Sequence, residues 1–310
     1  MENEAAYAAG LIAASLMGAG YYANRAHAEG VRNRAIALGY LIALPLRLLL
    51  SRAFAFFAQV QFLLPTEGWM GLLDMRPQGL SYIGAIAGLL LGGYLSELVC
   101  KLPRHRLLDP ISSGALITLS LSRLAEIMVS TGQGSYVENA ALRFFPLAVE
   151  NEWGEWYFAV FMLEAFFALL ILWETQRVAR PSGERWQRAL FLFFCSQMLC
   201  ESLRAETIKW GFVRVHQLFC AIGAAALVIT WAVKALRRGV PLSVWLPPAL
   251  MLPFVSALLI GLEFALDRWQ DTPRWSMYLV MAAALAVWAW AGVRLLQKGK
   301  SRVHVRGRVG

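Results

Sequence analysis

The residues most capable of chemistry are charged side chains set inside apolar segments. The stretch LSLSRLAEIMVS places Arg123 and Glu126 three residues apart, so on a helix both lie on one face. The stretch CESLR repeats this spacing at Glu201 and Arg204. A charge near the centre of a bilayer costs roughly 2.5–3.5 kcal/mol even on the mildest scale. Such groups are therefore expected to pair with each other or to line a wet cavity.

The segments around these charges are predicted to be membrane helices. Hydrophobic residues make up 58% of the 310-residue chain and charged residues only 16%, which is more apolar surface than a soluble fold could bury. Runs of about 17 to 25 apolar residues recur, and each could cross ~30 Å of hydrocarbon at about 1.5 Å per residue. The chain is therefore expected to be an all-α, polytopic helical membrane protein.

Nine spans are predicted. They cover residues 5–22, 35–63, 79–100, 110–130, 156–173, 188–204, 214–236, 245–266 and 275–296. The second is long for one crossing, and a kink is expected at Pro45, where a backbone donor is missing. Gly84, Gly88 and Gly92 recur every four residues, which predicts close packing of the third span against a neighbour.

The connections between these spans alternate in basic charge. Most Lys and Arg residues fall in Arg25–Arg34, Lys101–Arg106, Arg177–Arg188, Lys234–Arg238 and the tail from Arg294 to Arg308. The positive-inside rule then places the N-terminus outside and the C-terminal tail in the cytoplasm. The net charge of +9 is explained by this topology and does not indicate a nucleic-acid partner.

On this topology, five helices carry ionisable groups to the outer half of the membrane. Arg123 lies about 20 Å along its helix from the cytoplasmic side, and Arg52, Glu164, Glu201 and His216 reach a similar depth. Two interpretations stay open. The groups form structural ion pairs between helices, or they line a polar site that opens outward. Their shared depth favours the site.

Other reactive patterns are weak. Cys100, Cys195, Cys200 and Cys220 lie in apolar segments without CxxC or Cys/His spacing, which predicts buried small hydrophobes. No metal site, phosphate-binding loop or Ser/His/Asp set has a credible context, so no metal and no cofactor is predicted.

A family resemblance begins at Gly79, in GLSYIGAIAGLLLGGYLSELVCKLPRHRLLDPISSGALITLSLSRLAEI. This segment resembles the core of the prolipoprotein diacylglyceryl transferase family, with its GLSFHGG-type opening, glycine-rich helix, basic loop ending in LLD and GRIGN-type arginine. The positions in register are Gly79, Leu80, Ser81, Gly84, Gly88, Leu108, Asp109 and Arg123. Gly134, the FFP at Phe144–Pro146, Glu164 in a YEALLEG-like helix, and CESLR continue the likeness, which covers roughly residues 7–236.

The resemblance implies transfer of a diacylglyceryl group from phosphatidylglycerol to a lipoprotein cysteine thiol, at the outer face of the bacterial cytoplasmic membrane. The implied partners are phosphatidylglycerol or another anionic phospholipid, and a lipoprotein signal peptide. Arginine can hold the lipid phosphate through bidentate hydrogen bonds, and the thiol needs a base or an electropositive pocket. The predicted catalytic residues are Glu126 and Glu201. The predicted substrate-binding residues are Ser81, Arg123, Gly134, Glu164, Arg204 and His216.

The sequence also departs from the family pattern. Ile83 stands where the family has a histidine, Gln197 where it has an arginine, and Glu126 where it has an asparagine. Because losing one such electrostatic contact typically costs ~10²–10³ in rate, transferase activity is expected to be weak or absent. His216 could in principle replace the missing base.

Three functional interpretations remain open. The first is a divergent transferase, and the second is a non-catalytic relative that binds lipid or a membrane partner through the same cavity. The third, a transporter or channel, is least favoured because no inverted repeat or broken-helix pair stands out. In the first two, a seven-helix transferase-like core spans residues 1–240, and residues 241–310 add two transmembrane helices and a basic cytoplasmic tail. One cavity is expected to hold Arg123 and Glu126 with Glu201 and Arg204.

Overall fold

The structure is a computed structural model that describes residues 2–76, 79–129, 131–177, 183–211, 213–268 and 274–301. Helices dominate these residues. The α-helices are α1 Glu2–Ala28, α2 Asn33–Ala58, α3 Val60–Glu67, α4 Tyr82–Val99, α5 Leu108–Ala125, α6 Val160–Gln176, α7 Arg185–Leu203, α8 Val215–Arg237, α9 Leu242–Arg268 and α10 Arg274–Ser301. Two short antiparallel hairpins pair β1 Ala148–Glu150 with β2 Trp156–Phe158, and β3 Lys209–Trp210 with β4 Val213–Arg214. The all-α prediction is confirmed.

Six helices within the described ranges are long and apolar enough to cross a bilayer: α2, α4, α5, α8, α9 and α10. The polytopic membrane prediction is therefore confirmed. Helices α1, α6 and α7 coincide with three further predicted spans but are shorter or less apolar than these six. Their crossing of the membrane stays a prediction. The end of the basic tail, residues 302–310, and Arg180 lie outside the described residues.

The second predicted span, residues 35–63, is wrong as a single helix. Helix α2 continues through Pro45 and ends at Ala58, and α3 begins at Val60. Between them Gln59 has φ −120° and ψ 22°, outside the helical region. The indole Nε1 of Trp210 donates a 2.8 Å hydrogen bond to the carbonyl of Ala58, which satisfies an acceptor at the helix end. A tertiary contact therefore sits at the end of this helix.

The described chain divides into two compact units. The first contains Met1–Ala189 and Arg204–His216, and the second contains Leu190–Leu203 and Gln217–Gly310. In the first unit α1 packs against α5, α2 against α4, and α5 against α6. The predicted division at residue 240 was drawn from the family resemblance and stays a prediction.

Glycines set the spacing between α2 and α4. A Cβ atom added at Gly84 would meet the backbone of Leu50, and one added at Gly88 would lie 2.5 Å from Cα of Arg47. A Cβ at Gly92 would likewise meet the backbone of Ala43. Only hydrogen at these three positions lets the two helices approach so closely. The packing predicted from the four-residue glycine spacing is confirmed.

Two buried carboxylates organise the connections at the basic ends of the helices in the first unit. Glu97 accepts hydrogen bonds from the backbone N–H groups of Leu107 and Leu108, at 2.7 and 3.2 Å, where α5 begins. Asp109, which is fully buried, accepts one from the backbone N–H of Trp186 at 3.0 Å, in the first turn of α7. Each carboxylate satisfies donors that a helix N-terminus leaves unpaired, and thus defines where that helix starts.

The second unit has an aromatic core. Phe191 packs edge-on against Trp231 and Trp288, with ring centroids 5.2 and 5.4 Å apart. The buried Trp288 donates a 3.1 Å hydrogen bond from Nε1 to the carbonyl of Pro248, which pairs its one polar atom. Gly292 of α10 lies against the Phe191 ring, where a larger residue would collide. These contacts join α7, α8, α9 and α10.

Candidate functional site

Arg123 and Glu126 lie at the end of α5 and form an ion pair. Arg123 occupies the last turn of the helix, and Glu126 begins the 3₁₀ turn Glu126–Met128 that follows. Both side chains are buried, with exposed fractions of 8% and 5%. The three-residue spacing thus brings the two charges together on one face, as predicted.

Two further charges complete a cluster around this pair. The Nε atom of Arg123 lies 2.5 Å from Oε2 of Glu164, on α6. Arg204 holds the same carboxylate with two hydrogen bonds, from Nε to Oε1 at 2.9 Å and from Nη2 to Oε2 at 2.8 Å. Its Nη2 also lies 3.4 Å from Oε2 of Glu126. Two guanidinium groups and two carboxylates therefore alternate, and their formal charges cancel, which offsets the cost of burying them.

The backbone around Gly134 positions Arg204. Gly134 and Arg204 pair in an isolated antiparallel bridge. The N–H of Ala205 donates to the carbonyl of Gln133 at 3.1 Å, and the N–H of Gly134 donates to the carbonyl of Phe158 at 2.7 Å. The loop that precedes β1 thus fixes the residue that follows α7. Gly134 contributes through its backbone, and its predicted contact with a substrate stays a prediction.

Tyr82 connects the cluster to two other predicted site residues. The Cζ atom of Arg123 lies 5.3 Å from the centroid of the Tyr82 ring, in cation–π range. The Tyr82 ring also lies beside His216, with ring centroids 4.9 Å apart. Nε2 of His216 lies 3.3 Å from Oγ of Ser81, within hydrogen-bond distance. Arg123, Ser81 and His216 therefore belong to one neighbourhood.

Tyr82 and Gly132 were missed by the sequence reasoning. Tyr82 follows Ser81 directly in the GLSY stretch, so its position beside a predicted site residue was the available indication. Gly132 has φ +72°, and a Cβ there would collide with the carboxylate of Glu126. A left-handed backbone at a glycine leaves no distinctive mark in the sequence.

Arg52, expected at the same depth as the cluster, has a structural role. It is buried, and it donates from Nε to the carbonyl of Gly71 at 2.7 Å and from Nη1 to the carbonyl of Gly79 at 3.0 Å. It therefore holds the segment between α2 and α4. In that segment the side chain of Arg76, and then its backbone N–H, hydrogen-bond to Asp74 and lower the pKa of Asp74 to about 2. Asp74 stays charged as a surface partner of both arginines.

Glu201, a predicted catalytic residue, lies on α7 in the second unit and is buried, with 2% exposure. Gln197, one turn earlier, is also buried, and its Oε1 atom has no hydrogen-bond partner among the described residues. The shared cavity predicted for Arg123 and Glu201 stays a prediction.

Two donors of the cluster, Nε and Nη2 of Arg123, lack a hydrogen-bond partner among the described residues, although Nε lies in ion-pair contact with Glu164. Nη2 of Arg123 is buried and has no hydrogen-bond partner within the described part of the chain. Leaving a buried polar group unpaired costs on the order of 1–3 kcal/mol, and more when it is charged. An acceptor oxygen brought by a ligand would satisfy this N–H group.

The other chemistry-bearing side chains are not grouped in this way. In the described ranges, no set of three or more His, Cys, Asp or Glu residues is placed to hold a metal ion. Cys195, Cys200 and Cys220 are buried, as predicted, whereas Cys100, directly after α4, is only half-buried, so the prediction is wrong for this residue.

Comparisons with known proteins return no relative: no family model matches this chain, and no curated protein matches it. The likeness to diacylglyceryl transferases rests on the residues and spacing given above.

Proposed function

We propose that this chain is a divergent, diacylglyceryl transferase-like protein of a bacterial cytoplasmic membrane that binds the phosphate of an anionic phospholipid at Arg123. The observation that carries the proposal is the buried, unpaired Nη2 of Arg123. A phosphodiester oxygen would accept a charge-assisted hydrogen bond from this atom. Arg204, which shares Glu164 with Arg123, supplies a second guanidinium beside it.

The carboxylates of the cluster act as resting counter-ions in this proposal. A phosphate adds negative charge to a cluster whose charges already cancel, so one carboxylate must give way. The contact between Arg204 and Glu126 is 3.4 Å, longer than the 2.8 Å contact between Arg204 and Glu164. Glu126 is also on a short 3₁₀ turn, whereas Glu164 lies within α6. We expect the lipid phosphate to displace Glu126 from Arg204 and to leave Glu164 in place.

Lipid binding without efficient transfer agrees best with the residues present. Both carboxylate oxygens of Glu126 are engaged, Oε1 by Arg123 and Oε2 by Arg204, so this side chain is held by its ion pairs and not by contacts that would present it to a thiol. Ile83 stands where the family histidine would be and cannot move a proton. A non-catalytic relative that binds lipid or a membrane partner is therefore the favoured form of the proposal. Transfer of diacylglyceryl to a lipoprotein signal peptide, with His216 as the base, is the second form.

Native mass spectrometry of the purified protein tests the lipid site. The wild-type chain is expected to retain phosphatidylglycerol. The double variant Arg123→Leu with Glu126→Leu should lose it about tenfold or more, since a hydrogen bond to a charged group contributes about 1.5–3 kcal/mol. Arg177→Leu is the control, because it removes an arginine whose side chain is 59% exposed and leaves Glu174 paired with Arg188. Equal lipid retention in all three proteins would overturn the proposal.

Complementation distinguishes the two forms. A bacterial strain depleted of its own transferase should grow poorly when it carries this chain, and mass spectrometry should show few lipidated lipoproteins. Robust rescue would refute the non-catalytic form. If Ile83→His with Gln197→Arg restored growth, the fold would be competent for transfer and only its chemistry would have been lost.

The proposed topology places the N-terminus outside and the C-terminal tail in the cytoplasm, on the distribution of Lys and Arg. Two exposed positions test it: Trp153, in the turn between β1 and β2, and Arg104, in the basic connection before α5. A membrane-impermeant thiol reagent applied to intact cells should label Trp153→Cys, and should label Arg104→Cys only after permeabilisation. The reverse pattern would invert the topology.

A further inference from the structure

A half-buried cation, Arg47, lies in the first unit, on the membrane-crossing helix α2. Nη2 of Arg47 donates a hydrogen bond to Oγ of Ser15 on α1, at 3.3 Å. Within the described ranges this is its one hydrogen bond, and it forms no ion pair there. Arg123, by contrast, has two carboxylates against it. A guanidinium in an apolar helix that meets only a neutral hydroxyl requires an anionic partner from outside the protein.

Arg47 lines a half-open groove between α1, α2, α4 and α5. The groove is shallow, with a cavity volume of about 40 Å³. Small residues form part of it. Gly18 of α1 and Gly114 of α5 lie so close that a Cβ added to either would meet the carbonyl oxygen of the other, at 2.6 and 2.5 Å. Because the walls are mostly apolar, the guanidinium is the dominant polar feature of the groove.

The groove extends from the middle of these helices toward their basic ends. Ile111 and Gly39 line it close to the first residues of α5 and α2, and Tyr22 lines it close to the last residues of α1. Arg47 is deeper, about 21 Å along α2 at 1.5 Å per residue, and a helical side chain leans back toward the N-terminus of its helix. Arg123 lies at the other end of α5. The groove is therefore separate from the charge cluster.

Four hydroxyl side chains line the groove, and two of them, Tyr22 and Thr118, donate to backbone carbonyls, which leaves Ser15 and Tyr40 to accompany the guanidinium. Ser15 Oγ accepts the bond from Arg47, so its own proton remains available to a ligand. Tyr40 also lines the groove, and it lies two helical turns before Arg47 on the same face of α2. One cation and two hydroxyl donors suit an oxyanion with a single negative charge, and the apolar walls suit hydrocarbon.

We propose that this groove binds the phosphodiester of an anionic membrane phospholipid, which enters from the basic ends of α1, α2 and α5 and pairs with Arg47. The lipid belongs to the leaflet next to the basic connections, because the groove leads from Arg47 toward them. Phosphate accepts two parallel hydrogen bonds from a guanidinium, which gives Arg47 the charged partner that the described residues do not provide. The site is independent of the lipid site proposed at Arg123.

Photo-crosslinking of the full chain in lipid nanodiscs tests this assignment. The probe is phosphatidylglycerol with a diazirine near its head group, and mass spectrometry maps the labelled peptides. In the wild-type protein, label is expected on residues 15–22 and 39–47. Arg47→Leu should reduce that label about tenfold or more, in line with loss of a charge-assisted hydrogen-bond pair. Arg34→Leu, which removes an exposed cation from the same helix, should leave it unchanged.

A steric variant keeps the test decisive if Arg47→Leu folds poorly. Ala115→Leu fills the groove from α5 and keeps Arg47, so it should also abolish the label on both segments. Arg123→Leu with Glu126→Leu should leave this label intact, and its loss of label elsewhere reports on the other site. Unchanged labelling in both Arg47→Leu and Ala115→Leu would overturn the proposal. So would equal competition by phosphatidylcholine or by inorganic phosphate, since neither is an anionic lipid.

Discussion

Replacing Glu164 by glutamine tests the contribution of the charge cluster to stability. The Glu164 side chain is fully buried, and it accepts hydrogen bonds of 2.9 and 2.8 Å from Arg204 and lies 2.5 Å from Nε of Arg123. Glutamine keeps the shape but removes the carboxylate that Arg123 and Arg204 share, so the four-charge cluster keeps two guanidinium groups and one carboxylate, Glu126. Removing one partner of a buried ion pair costs about 3–5 kcal/mol, because the remaining charge stays buried. We expect Glu164→Gln to destabilise the protein by this amount.

Thermal unfolding in detergent, followed by tryptophan fluorescence, measures the effect. For a chain of this size about 1 kcal/mol shifts the midpoint by about 2 °C, so Glu164→Gln should lower it by about 6–10 °C. Glu138→Gln is the control, because Glu138 is exposed on a loop and its replacement should change stability by less than about 0.5 kcal/mol. Equal midpoints for the two variants would refute the argument that the cluster stabilises the fold.

A double-mutant cycle then separates the ion pair from other effects. Arg204→Gln alone leaves Glu164 facing only Arg123, so it should also be destabilising. The double variant Glu164→Gln with Arg204→Gln removes both charges of this pair, so neither stays buried without the other. Its destabilisation should be smaller than the sum of the two single variants by about 0.5–3 kcal/mol. Simple additivity would mean that the two residues do not stabilise each other.

Two packing predictions use the same assay. Gly88→Ala places a Cβ at 2.5 Å from Cα of Arg47 and should cost about 1–3 kcal/mol of stability, because it forces α2 and α4 apart. Gly20→Ala is the control: it has open space around it and should be neutral or stabilising. Similar losses in both variants would contradict the packing argument. Trp288→Ala removes a fully buried indole and should cost about 3–5 kcal/mol of stability. Trp290 is 56% exposed, so Trp290→Ala should cost far less. Comparable unfolding midpoints for the two variants would show that Trp288 is not a core residue.

Features that depend on local spacing could be predicted. The length and apolarity of the segments were sufficient for the membrane helices, because the thickness of the hydrocarbon region sets the number of residues needed. The three-residue separation of Arg123 and Glu126 was sufficient for their ion pair, because residues at that spacing share a helix face. The glycine repeat of α4 was sufficient for its close packing.

The end of α2 could not be predicted from its own residues. The apolar run continues past Ala58, so hydropathy extends the span to residue 63. The helix ends at Ala58, where Trp210, distant in the sequence, donates to the Ala58 carbonyl. The preceding turn carries Arg52, which bonds to the carbonyl of Gly71 in the segment that follows. Both contacts join residues far apart in the chain, and no local pattern reports them.

The partners of the charged side chains inside the helices could not be predicted from the sequence either. Depth placed Arg52 with the same group as Arg123. Arg52 hydrogen-bonds to backbone carbonyls, with Glu67 and Asp74 at 3.6 and 3.8 Å, whereas Arg123 contacts the buried carboxylates of Glu126 and Glu164. Arg47 was not predicted as a site residue, because an isolated arginine in an apolar run does not indicate whether a carboxylate contacts it in the fold. Its neutral partner, Ser15, is on another helix.

The sequence by itself determined that this chain is a helical membrane protein with charges inside its apolar helices, because hydropathy and helical periodicity act along the chain. Only the tertiary structure decided that Glu164 and Arg204 close a four-charge cluster around Arg123 and Glu126, and that Arg47 faces a groove. Those outcomes depend on which helix faces meet. The packing of the helices decides which faces meet, through close contacts such as the one between Gly18 and Gly114. These contacts join residues that are distant in the sequence.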